Sequence, residues 1–162
     1  MSEIVIVNST PIIALSSIDS LNLLRKIYGT VIIPEAVKAE ISFKSKSKAH
    51  YQLNKSSDWI QIREITNEFH KQMFKTQLHD GEVEVMILGQ ELNADLLVID
   101  DFVAREHAKY LGFKVIGTIG ILISAKSKGF IHQIKPLMDK LIINGIYISN
   151  RLYSEIIKIA GE

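Results

Sequence analysis

Four acidic side chains and one amide stand where the sequence pattern could bring oxygen ligands together. They are Asn8, Glu40, Glu82, Asp100 and Asp101. Glu40 and Glu82 each fall on the apolar side of a predicted helix, where an ionised carboxylate is costly unless it is paired. Mg²⁺ and Mn²⁺ prefer oxygen ligands, lower the pKa of a bound water and clamp a phosphate during in-line displacement. These residues therefore favour a site for a hard divalent cation.

Hydrophobic periodicity predicts the elements that must position these residues. Strands are predicted at residues 4–7, 31–33, 96–99 and 114–116, with a half-exposed edge strand at 59–65 and a small strand at 145–149. Helices are predicted near residues 10–28 (with an interruption), 34–43, 67–76, 80–93, 102–111, 118–128, 135–143 and 151–160. Residues 44–57 read as a lysine-rich loop or irregular helix. Strands alternating with helices predict an α/β fold with a parallel sheet covered on both faces, in one domain spanning residues 1–162.

In a parallel sheet, Asn8 and Asp100 both lie at carboxyl ends of strands, the edge where open α/β sheets bind ligands. Simpler structural roles remain open for each acidic residue. Asp100 or Asp101 could cap the helix that follows, with Asp80 capping the helix that carries Glu82. Glu82 could interact with its helix dipole, and Glu40 could pair with a lysine.

Composition limits the classes of protein that fit. The chain of 162 residues has a formal net charge of +1 and no cysteine. Disulfide and thiolate chemistry are therefore excluded. The small net charge gives no indication that the protein binds nucleic acid or a membrane surface. No apolar run reaches membrane-spanning length, so we expect a soluble, cytoplasmic protein.

Five stretches of the sequence resemble a known family. They are IVNSTPIIAL, VIIPEAVKAEI, LHDGEVEVMILGQELNADLLVIDD, KVIGTIGILISAKSKG and NGIYISNRLYSEIIKIAGE. Together they resemble PIN-domain proteins, and more narrowly the prokaryotic DUF3368-type group related to VapC toxins. The resemblance implies a three-layer fold with strand order 3-2-1-4-5 and a metal-dependent ribonuclease site for single-stranded RNA. It also implies a homodimer held by an antitoxin.

The resemblance assigns roles to individual residues. Glu40, Glu82 and Asp100 are expected to be catalytic, and these three with Asn8 and Asp101 are expected to bind Mg²⁺ or Mn²⁺. We expect substrate contacts from Ser9, Thr10, Thr118, Lys44 and Lys46, although the two lysines could equally belong to a solvated loop and Thr118 could be a helix cap. Asn8 departs from the aspartate of the wider family. The open alternative to a nuclease is a catalytically weak PIN domain that binds RNA or a protein.

Overall fold

A computed structural model of the chain describes residues 2–43, 47–74 and 78–162. Its strands are β1 Val5–Val7, β2 Val31–Pro34, β3 Ile60–Arg63, β4 Leu96–Val98 and β5 Val115–Ile116. Its helices are α1 Ser9–Ser17, α2 Asn22–Tyr28, α3 Glu35–Phe43, α4 Lys48–Lys55, α5 Glu68–Phe74, α6 Asp80–Leu92, α7 Phe102–Tyr110, α8 Thr118–Ser127, α9 Lys135–Ile143 and α10 Asn150–Ala160. None of the helices in these ranges is both long and apolar enough to cross a membrane.

The five strands form one parallel sheet in the order β3-β2-β1-β4-β5, which confirms the predicted fold class and strand order. Consecutive side chains of a strand point to opposite faces of the sheet. Because Val5, Ile6 and Val7 are all 0% exposed, helices cover both faces of the central strand. The chain leaves β1 toward β2 on one side and reaches β4 on the other. The reversal of strand order between β1 and β4 is the place where such folds bind ligands.

Helix α6 is buried along most of its length, from Gly81 to Gly89. It packs on β1, β2 and β4 and is itself covered by α3 and α5. The predicted buried position of Glu82 is confirmed, but Glu84, predicted to lie on a different side of the helix, is only 5% exposed. Its carboxylate accepts hydrogen bonds from Lys71 Nζ at 2.7 Å and from the Ala36 amide at 3.1 Å. The helix therefore has no solvated side at its centre.

Two local predictions were wrong, and one open alternative is decided by the structure. Residues 146–149 form no strand, because the Ile146 amide bonds to Leu141 O at the end of α9 and the segment then leads directly into α10. Of the two alternatives for the lysine-rich segment, a loop or an irregular helix, the described residues form helix α4, in which Ala49 and Leu53, four residues apart, are both buried. Helix α6 is capped by His79 rather than Asp80, because Glu82 accepts the His79 amide and fixes the first turn one residue earlier.

Candidate active site

Asn8 lies at the carboxyl end of β1, beside the reversal of strand order. Its amide donates to Val98 O of β4 at 3.0 Å, and its side chain stands at the N-terminus of α1 with 3% exposure. Within the part of the chain that the structure describes, Asn8 Oδ1 has no hydrogen-bond partner. Leaving a buried acceptor unpaired costs about 1–3 kcal/mol. An oxygen held in this way fits a cation or a water at the edge of the sheet.

Glu40 joins three helices at this edge. Its Oε2 accepts from Ser9 Oγ of α1 at 2.6 Å, and its Oε1 accepts from the Gly81 amide of α6 at 2.8 Å. A Cβ on Gly81 would stand 2.5 Å from Glu40 Oε1. Glycine is therefore required for the carboxylate to approach the first turn of α6, and the Ser9 hydroxyl fixes the other oxygen.

Glu82 follows in the same turn of α6 and is 8% exposed. Its carboxylate accepts from the His79 amide at 3.0 Å. Burial raises the pKa of Glu82, the negative charges of Asp101 and Glu40 raise it further, and the His79 hydrogen bond opposes the rise. Asp101 and Glu40 thus each lie within electrostatic reach of Glu82, although burial is the main cause of the shift.

The two aspartates after β4 have different partners. Both oxygens of Asp100 bind Thr118, one accepting from its amide at 2.7 Å and the other from its hydroxyl at 2.6 Å. Asp101 accepts from the Ala104 amide at 2.9 Å and caps α7, while its charge acts on Glu82. The capping role considered for Asp101 is confirmed. Thr118 is not the cap of α8, since Gly117 occupies that position and Thr118 begins the helix.

Arg105 is a charged residue of this edge that the sequence analysis missed. A Cβ on Gly117 would stand 2.6 Å from Asp100 Oδ1 and 2.7 Å from Arg105 Nη1. The bare backbone of Gly117 therefore lets the carboxylate and the guanidinium lie side by side. The signal in the sequence was an arginine one helical turn after Asp101, which places it on the same side of α7 as the residues that follow β4.

Two clefts open beside these residues, and the exposed Thr10 lines both. The first, the α3 cleft, has a volume of about 550 Å³ and is lined by Ser9, Glu40, Asp80 and Phe43 among others. The second, the α10 cleft, has a volume of about 590 Å³ and is lined at one end by Asp100, Arg105 and Thr118. Of the residues predicted to contact substrate, Ser9 and Thr118 hold carboxylates and Thr10 faces the clefts. Lys44 and Lys46 lie outside the described residues.

The oxygen atoms at this edge of the sheet can be compared with the ligands that a divalent cation requires. Within residues 2–43, 47–74 and 78–162, no three or more His, Cys, Asp or Glu side chains gather closely enough to hold a metal ion. The chemistry nevertheless fits Mg²⁺ or Mn²⁺, because Asn8 Oδ1 has no hydrogen-bond partner among the described residues, and burial together with the charges of Asp101 and Glu40 disfavours the ionised form of Glu82. Mg²⁺ commonly binds one or two carboxylates and completes its coordination with water and substrate phosphate.

Comparisons with known proteins place the chain in a family. No curated protein is similar enough in sequence to count as a match. Among solved structures, a PilT N-terminus domain protein from the hyperthermophilic archaeon Sulfolobus solfataricus P2 is similar in fold, with a TM-score of 0.56 and 21% identity. The similarity covers 75% of this chain and 92% of that chain. The family described as "DUF3368: PIN domain" matches residues 4–162. The chain therefore belongs to the DUF3368 family of PIN domains.

Proposed function

We propose that this protein is a Mg²⁺- or Mn²⁺-dependent endoribonuclease that hydrolyses phosphodiester bonds of single-stranded RNA. PIN domains are generally nucleases and typically use divalent metal ions. The observation that carries the proposal is Glu82, a buried carboxylate in the first turn of α6 whose pKa is raised by burial and by the charges of Asp101 and Glu40. Removing a carboxylate from water is unfavourable, and a bound cation would offset that cost.

Each side chain has a separate role in the proposed reaction, which we assign from its hydrogen-bond partners. Asn8, Glu82 and Asp101 would hold the cation, which supplies a water of lowered pKa and a positive charge for the phosphate. Glu40 keeps a fixed orientation through Ser9 and Gly81 and would orient the attacking water. Asp100 fixes the N-terminus of α8 through Thr118 and faces the α10 cleft. Attack in line on phosphorus, with the 3′ oxygen leaving, gives products with 5′-phosphate ends.

The biological setting is part of the same proposal. We infer a homodimeric toxin whose activity is restrained by an antitoxin protein, as the resemblance to VapC toxins implies. A second candidate is favoured by one observation, the amide of Asn8, which gives the site one negative charge fewer than an aspartate would. In that case the protein binds RNA or another protein and turns over weakly.

Two substitutions on one helix test the catalytic proposal. With Mn²⁺ the protein should cleave single-stranded RNA, and EDTA should abolish cleavage. Glu82→Gln keeps the shape and removes the charge, so the rate should fall by roughly 100-fold or more. Glu84→Gln is the matched control, since Glu84 is also buried on α6 but bonds to Lys71 and Ala36. The folded control should cleave at nearly the native rate, as followed on a labelled strand.

Circular dichroism of both variants separates a loss of fold from a loss of chemistry. Cleavage that survives both EDTA and Glu82→Gln would show that the activity belongs to another site or another protein.

A further inference from the structure

The α10 cleft continues the proposed active site into an apolar space. Its polar end is formed by Thr10, Asp100, Arg105 and Thr118, all near the carboxyl edge of the sheet. Its walls come from the aliphatic side chains of β5, α8 and α10 and from the segment between α9 and α10. Among the described residues that line it, the charged ones are Asp100 and Arg105, so charge is confined to the end beside the carboxylates.

Tyr147 stands at the rim of this cleft with 89% exposure. Ile146 and Ile148, on either side of it, also line the cleft and are half-buried against the core. An aromatic ring that is anchored by its neighbours but exposed itself offers a flat apolar surface to a ligand. Aromatic rings of this kind stack with bases of single-stranded nucleic acid.

Arg105 supplies the complementary charge. It is half-buried and lies beside Asp100 over the backbone of Gly117, at the end of the cleft nearest the carboxylates. Guanidinium groups bind phosphate through paired hydrogen bonds and stay protonated. The volume of about 590 Å³ lies within the range of roughly 300–1,000 Å³ that is usual for small-ligand sites. A nucleotide has both the flat ring and the phosphate that these features would bind.

We propose that the α10 cleft binds an unpaired nucleobase of the RNA, stacked on Tyr147, while Arg105 binds the phosphate of that nucleotide. The inference rests on the proposed ribonuclease function and specifies how its substrate is held. It restricts the substrate to RNA that is single-stranded next to the cleaved bond, because a base in a duplex cannot enter the cleft. It also assigns a function to a charged residue that the catalytic proposal does not use.

A binding experiment tests the base pocket apart from catalysis. The affinity of the protein for a fluorescent single-stranded RNA is measured in EDTA, with one abasic position moved along the strand. One abasic position should weaken binding, and Tyr147→Ala should weaken binding to the intact strand by roughly 5- to 100-fold. Tyr147→Phe, which keeps an aromatic ring, should bind the intact strand with the native affinity. Tyr110→Ala is the matched control, since Tyr110 is 91% exposed on α7 and does not line the cleft.

In the same assay, the salt dependence of the affinity measures the contribution of Arg105. Arg105→Gln should reduce the dependence of log Kd on log salt concentration by about one phosphate contact. Arg105→Lys should keep that dependence. An unchanged salt dependence in Arg105→Gln would overturn the assignment of Arg105.

The remaining outcomes separate this inference from the proposed function. Equal affinity of the native protein and Tyr147→Ala, or no effect of any abasic position, overturns the base pocket even when the protein cleaves RNA. Base-dependent binding without cleavage in Mn²⁺ supports the pocket and contradicts the ribonuclease proposal. If Tyr147→Ala instead converts a dimer into a monomer by light scattering, the cleft is an interface between copies and the inference is wrong.

Discussion

Asn8 offers the candidate site a neutral oxygen where the resemblance to PIN domains implies a negatively charged carboxylate. Its Oδ1 is buried and, among the residues described, has no hydrogen-bond partner, so this oxygen is free to bind a cation but would bring no negative charge to it. Hard cations are held largely by ligand charge. The amide therefore leaves two proposals to be distinguished, a nuclease with low metal affinity and a PIN domain that acts as a binding module.

Asn8→Asp tests this distinction. The change adds one charge at nearly constant volume, so Mn²⁺ should bind at least about tenfold more tightly by calorimetry. Cleavage of RNA should rise if the other residues are competent, whereas Asn8→Ala, which removes the oxygen, should weaken both. An unchanged Mn²⁺ affinity in Asn8→Asp would show that this side chain is not a ligand.

Hydrophobic periodicity was sufficient to predict which side of a helix a residue lies on. It was not sufficient to predict which of two adjacent residues makes a given contact. It identified Glu82 correctly as a buried carboxylate. It gave no means to separate Asp100 from Asp101, because adjacent side chains after a strand point in different directions and their partners come from distant elements. Asp100 bonds to Thr118, eighteen residues later, and Asp101 acts on Glu82 of α6. Such pairings depend on tertiary structure.

Helix α6 positions the site because its first turn contacts α3 through the gap left by Gly81. The sequence predicted the helix and its boundaries closely, but it placed Glu84 apart from the apolar side. The reason for the error is that α3 and α5 cover the helix in addition to the sheet. Burial on several sides leaves a polar residue no solvated side, so Glu84 is stabilised instead by Lys71. A periodic pattern cannot report how many neighbours a helix has.

Gly81→Ala should separate stability from function at this helix. Alanine in a helix is favoured over glycine by about 1 kcal/mol, but here the new Cβ would meet the flexible end of Glu40. We expect the melting temperature to change little while RNA cleavage falls, because Glu40 must move and lose its bond to the Gly81 amide. In a Glu40→Ala background the same glycine substitution should have no further effect on cleavage.

A loss of activity that adds fully to that of Glu40→Ala would mean that Gly81 acts through something other than Glu40.

For the whole molecule, two carboxyl groups make stability depend on pH in opposite directions. Hydrogen bonds from the Ile134 amide and Lys126, with a further bond from Lys135, lower the pKa of Glu162 from its usual 4.5 to about 2. This group stabilises the fold above pH 4.5 and loses that contribution as pH falls toward 2. The raised pKa of Glu82 has the reverse effect, since its ionisation disfavours the fold at high pH.

Thermal unfolding of Glu82→Gln against the native protein isolates that effect. In EDTA at pH 8 the variant should be the more stable, because the native carboxylate is ionised and buried. The difference should shrink as pH falls and vanish below 4.5, where Glu82 is protonated in both folded and unfolded states. Mn²⁺ should raise the native melting temperature at pH 8 more than that of the variant. A variant that is less stable at pH 8 would show that the bond to the His79 amide outweighs the buried charge.

The central position of β1 has a consequence for synthesis on the ribosome. This strand is translated before both of the strands with which it pairs, β2 on one side and β4 on the other, and the amide of Ile4 bonds to Asp95, 91 residues later. At about 5–20 residues per second, roughly 5–18 s pass between translation of the two strands. During that interval the apolar residues of β1 lack one partner strand. We therefore expect the growing chain to be most prone to aggregation before β4 has left the exit tunnel, so ribosome stalling before β4 should favour aggregation.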